Sequence, residues 1–145
     1  MKHKISDDDI DFLNSFEKCE IDAKAFGHKE HIRLAYILLV QSELDDAKVR
    51  LKTSLIRYLT FNGVDTSKYH ETMTVAWLLA VKHFMHMSVP AENAIEFIQA
   101  NDILLDKNIM YTHYSRDLME SDPARKEFIE PDLEPIPVYG YKAAG

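Results

Sequence analysis

No proline precedes Pro90, and Gly27 and Gly63 are the only glycines before Gly140. Proline breaks a helix by removing an N–H and clashing with the turn before it, while glycine supplies the tight turns that hairpins need. A stretch this poor in both is suited to long helices and has little turn chemistry for sheets. No segment alternates apolar and polar residues with period two for long enough to make a strand. The expected class is all-α, a single helical bundle of about five main helices plus short C-terminal helices.

Ser6 is a suitable N-cap, and Asp7, Asp8 and Asp9 follow it at the positive end of a helix dipole. This predicts a first helix over 7–22, with Phe12, Phe16 and Cys19 on one stripe. A second helix is expected over 28–41, after Gly27. A third is expected over 43–62, capped by Ser42 and stopped by Gly63. Thr66 or Ser67 starts a fourth over 69–87, whose middle, Val75 to Val81, is apolar on every face. That pattern marks a central buried helix, with Trp77 in the core. Pro90 opens a fifth over 91–100, and shorter pieces are expected over 103–114, 115–120 and 123–129, the last capped by Ser121. Pro131, Pro135 and Pro137 exclude further helix, so one domain over 1–138 is expected, with 139–145 a loosely held tail.

A chain of 145 residues is long enough for one self-sufficient core. Its 17 Lys and Arg against 24 Asp and Glu give a formal charge of −7, which argues against a nucleic-acid partner. A single Cys excludes an internal disulfide and points to a reducing compartment. Met1 to Ile5 runs straight into acidic residues, unlike a signal peptide, and no apolar run exceeds the seven residues of Val75 to Val81, far short of a membrane span. The expectation is a complete cytoplasmic protein with no membrane partner; a homo-oligomer is compatible with it.

Familiar catalytic signatures are missing. There is no phosphate-cradling glycine loop, no nucleophile elbow, no paired-Cys zinc pattern, and neither His-Glu-x-x-His nor Glu-x-x-His. Cys19 on an apolar stripe reads as a packed thiol. Histidine remains. Short loops make successive helices antiparallel, so the second and fourth run parallel and start at the same end of the bundle. His28, His31 and His70 fall within the first turn or so of those helices and are expected to converge. His83 and His86 belong about 20 Å away, at the far end of the fourth helix, and read as structural or surface groups.

Three imidazoles suit one divalent transition metal, Zn, Fe, Ni or Cu, and would leave a coordination position open. His28, His31 and His70 are the candidate ligands, and Glu71 is the candidate catalytic base or a fourth ligand. Tyr69, Thr74, His113 and Arg116 are candidates for holding a small-molecule ligand. Two converging helix N-termini favour neutral imidazoles or a bound anion, so the expected ligand is anionic. The competing expectation is a non-catalytic interaction module, in which the histidines and Glu71 form a hydrogen-bonded network that fixes the bundle.

The segments Phe26-x-His28-x-x-His31, Tyr69-His70-Glu71-Thr72-x-Thr74, His113-Tyr114-Ser115, and Ala124-Arg125 ahead of Pro131-Asp132 resemble those of a group of uncharacterised bacterial helical proteins. The likeness runs from about Phe26 to Pro137, most of the chain. It implies a helical fold and marks the same polar residues that topology brings together. It implies no substrate and no catalytic role.

Overall fold

Four long helices carry the core in the computed structural model, which describes residues 2–137: α1 (Asp7–Glu17), α2 (His28–Gln41), α3 (Leu44–Phe61) and α4 (Glu71–Met87). Three shorter ones follow, α5 (Ala94–Ala100), α6 (Arg116–Met119) and α7 (Asp122–Lys126). No strand occurs among the described residues, so the all-α expectation holds. None of these helices is long and apolar enough to cross a membrane.

The core is built around α2 and α4. α2 buries Ile32 and every residue from Leu34 to Leu39, and α4 buries Thr72, Val75, Ala76 and Leu78 to Val81. The two helices run in the same direction. His31 of α2 lies beside Met73 and Thr74 of α4, Ala35 beside Leu78, and Leu39 and Val40 beside Met85. Their N-terminal ends therefore share one end of the bundle, as short antiparallel connections require. His86 lies at the other end, in a groove with Lys2, His3 and Lys82.

One buried carboxylate ties three elements together. Asp9 is fully buried, where the sequence suggested only a dipole partner. It accepts hydrogen bonds from the Ser6 backbone N–H (3.1 Å), the Ala94 backbone N–H (2.9 Å) and the Arg33 guanidinium (3.1 Å). It thus completes the capping box of α1, caps the start of α5 and anchors α2.

The chain after α5 differs from expectation in kind. The segment predicted as helix over 103–114 is two 3₁₀ stretches, Asp102–Leu105 and Lys107–Thr112. Asp106 starts the second by accepting from the Asn108 N–H, and 3₁₀ geometry turns faster than the α-helix the pattern implied. The chain beyond α7 then returns to α4: the Thr72 hydroxyl donates to the Glu127 carbonyl (2.8 Å) and accepts from the Ile129 N–H (3.1 Å).

Other boundaries shift for local reasons. α1 stops at Glu17, short of Asp22, because Cys19 takes a left-handed φ of 60° and turns the chain. Ser42 ends α2, and Glu43 is the N-cap of α3. Thr66–Lys68 forms a separate 3₁₀ turn, so α4 begins at Glu71 with His70 as its N-cap. Asn93 caps α5 three residues later than Pro90 suggested. Trp77 is half-buried, not core, because it lies on the face of α4 that borders a cavity. The expected tail, 139–145, and Val138 lie outside the described residues.

Candidate functional site

Two helical stripes face each other at the shared end. On α2, His28, His31 and Ala35 recur at i, i+3 and i+7; on α4, Met73, Thr74, Trp77 and Leu78 form the matching face. Between them lies a cavity of about 370 Å³, closed on its third side by Lys107, Asn108 and Tyr111 of the second 3₁₀ stretch and by Arg116 of α6. A second cavity of about 370 Å³ begins on the other side of His31, Met73 and Thr74, which line both. Its wall is mostly apolar, with Phe26, Leu55, Tyr58, Leu59 and Val64, and His70 and Tyr69 lie at its margin.

The histidines occupy different positions in this arrangement. His28 donates from Nε2 to the Leu104 carbonyl at 2.8 Å, which leaves Nδ1 as the acceptor nitrogen, and its ring meets the edge of Trp77 at 4.6 Å. Burial, aided by the nearby Lys107 charge, holds its imidazole below the ordinary value. His31 packs against Phe26 at 4.8 Å, and neither ring nitrogen has a hydrogen-bond partner among the described residues. Burial, with His28 adjacent, lowers its pKa to about 4, so the ring is neutral at neutral pH.

His70 has no nitrogen to spare. Its Nδ1 accepts from the Met73 N–H (3.0 Å), and its Nε2 donates to the Met119 carbonyl (2.7 Å). It is the cap of α4 and its tether to α6. Among the described residues, no group of three or more His, Cys, Asp or Glu side chains is arranged to hold a metal ion. The expected ligand set of His28, His31 and His70 therefore does not assemble around one point. Topology correctly places the three rings at one end, but two of them satisfy backbone groups of the C-terminal half.

Of the remaining candidates, Thr74 and Arg116 line the first cavity and Tyr69 lines the second. The Tyr69 hydroxyl donates to Glu71 at 2.8 Å, and Lys52 lies 3.7 Å from the same carboxylate. Burial and the Glu71 charge push the Tyr69 phenol well above its ordinary value. Glu71 is thus engaged in a surface-side pair and lies outside the lining of either cavity. His113 bonds through Nδ1 to the Glu134 carbonyl (2.7 Å), and it too lies away from both cavities.

The first cavity also includes residues that sequence reasoning missed: Lys107, Asn108, Tyr111 and Trp77. The first three sit on 3₁₀ backbone, where α-helical periodicity assigns the wrong face. The signal for Trp77 was present, because it follows Met73 at i+4 and Thr74 at i+3. The Arg116 Cζ lies over the Tyr111 ring, 4.0 Å from its centroid. Neither Arg116 nor Lys107 forms an ion pair with a carboxylate among the described residues. No Asp or Glu lines this cavity.

Compared with known protein families, with curated proteins and with solved structures, the chain matches none of them.

Proposed function

We propose that the protein binds a small organic anion, with its charged group at Lys107 and Arg116 and its body between α2 and α4. One observation carries this reading: in a chain of charge −7, this cavity holds two cations without carboxylate partners and no acid at all. Two cations facing one cavity with no acid in its lining make that cavity locally positive within an acidic chain, a field that attracts an anion. The contact with Tyr111 holds the Arg116 guanidinium beside the cavity, and a guanidinium suits two-point bonding to a carboxylate or phosphate. Ala35, Leu51, Met73, Trp77 and Leu78 supply the apolar surface for the rest of the ligand. The single free thiol, Cys19, is buried and suits a cytoplasmic protein.

A specific observation favours a second reading, a non-catalytic module whose histidines only hold the bundle together: His28, His70 and His113 all bond to backbone carbonyls of the C-terminal half. His31, which bonds to none, speaks for the ligand site. Thermal melting with hexanoate and with the uncharged hexanamide separates the two readings. The ligand site predicts a dose-dependent rise in Tm with hexanoate and none with hexanamide. The module reading predicts no shift with either.

A further inference from the structure

Among the described residues, the two cavities share three lining residues: His31 on α2, and Met73 and Thr74 on α4. Each cavity is about 370 Å³, yet they differ in character. The first has two cations in its lining, Lys107 and Arg116, and the second has one, Lys68, and a wall made mostly of Phe26, Leu55, Tyr58, Leu59 and Val64. More cationic charge at one end and more apolar wall at the other is the layout that suits an amphipathic anion.

Resting on the anion-binding reading above, we propose that the second cavity is a tail chamber, and that the ligand is an unbranched acyl carboxylate whose chain passes His31 and Met73 to reach it.

The wall between the cavities is made of side chains that can give way. Met73 is unbranched and turns about three bonds, which lets thioether side chains reshape around irregular ligands. His31 has no hydrogen bond holding its ring among the described residues. The ring is neutral at neutral pH, so no charge stands where an apolar chain would cross. The charged groups around it lie to either side: Lys107 and Arg116 across the first cavity, Lys68 at the edge of the second, and Glu30 on its own helix. Filling the chamber replaces solvent contact at Phe26, Leu59 and Val64 with chain contact, so each added methylene contributes until the chamber is full.

The test is a calorimetric titration of the full chain with saturated carboxylates from butanoate to decanoate, below their micelle concentrations. The same series is repeated with Val64→Phe, which narrows the chamber from an exposed position (Val64 is 40% exposed) and leaves the core intact. Affinity is expected to rise about fourfold per methylene along the series. Val64→Phe should leave butanoate unchanged and weaken decanoate at least tenfold. Binding of butanoate and decanoate with equal affinity overturns the chamber and leaves the anion site standing. A chain-length gain that Val64→Phe does not reduce overturns it as well, since the tail then lies elsewhere. Failure of every carboxylate to bind overturns both readings together.

Discussion

The Nε2–H of His28 donates to the carbonyl of Leu104 at 2.8 Å, joining the first residue of α2 to the first 3₁₀ stretch, just ahead of the stretch that lines the cavity. The centroid of the same ring lies 4.6 Å from that of Trp77, and both side chains line the cavity. His28→Ala removes the bond and leaves the Leu104 carbonyl without its partner. A loss of about 1–2 kcal/mol is expected in denaturant unfolding. A red shift of the emission of Trp77, the only tryptophan, should accompany it as water reaches the indole.

His31 makes stability depend on pH. The folded protein holds this imidazole near 4, whereas an unfolded histidine titrates near about 6.5. The unfolded chain therefore binds more protons between those values. Stability is fully present above about 6.5, falls as the pH drops, and levels off near the folded value. The loss should be on the order of 2 kcal/mol by pH 5. Carboxylates held low in the fold, such as Glu17 beside Arg50, add their own loss only in the more acidic carboxylate range. Urea unfolding at pH 7.5 and pH 5 measures the difference, and His31→Gln should remove most of it.

His70 is a structural cap, and its variants should behave as cap variants do. His70→Ala abandons the Met73 N–H and the Met119 carbonyl, at an expected cost of about 2 kcal/mol. His70→Asn restores the cap to Met73 and should recover about half of that. Because neither nitrogen of His70 is free for a ligand, a strong chelator should leave the Tm of the untagged protein unchanged. A chelator-induced drop that His70→Ala abolishes would contradict this assignment.

Asp9 is a fully buried carboxylate with three partner residues, so its removal should be costly. Asp9→Ala strands Arg33 and the N–H groups of Ser6 and Ala94, and the Ala94 N–H is buried. Breaking a buried charge pair from one side costs about 3–5 kcal/mol. Asp9→Asn keeps the shape and should lose less. Equilibrium unfolding of the two variants against the parent checks both values.

Most of the helical frame is legible in the sequence because α2, α3 and α4 combine long proline-free runs with strong apolar faces, and short connections leave one way for neighbours to run. The shared end of α2 and α4, and with it the neighbourhood of His28, His31 and His70, follows from that alone. What each imidazole bonds to does not follow. The partners of His28, His70 and His113 are carbonyls of Leu104, Met119 and Glu134, far along the chain, and carbonyls carry no residue-type signal. The same limit hides Lys107 and Tyr111, whose facing depends on a 3₁₀ turn begun by Asp106. Asp9 stood in plain view as one of three consecutive aspartates. Its burial depends on Ala94 and Arg33, which no local pattern connects to it.

The proposed anion site is tested most directly by titrating hexanoate while recording Trp77 emission, on the parent protein and on the double variant Lys107→Ala/Arg116→Ala. Trp77 lines the cavity and is the only tryptophan, so the signal reports this place alone. Both substituted residues are exposed, so the variant should keep the parent's melting temperature. The parent is expected to saturate, with an affinity that weakens as salt is raised, and the double variant to lose at least tenfold. Saturation with the same affinity in both proteins, or no change in emission with either, would contradict the account.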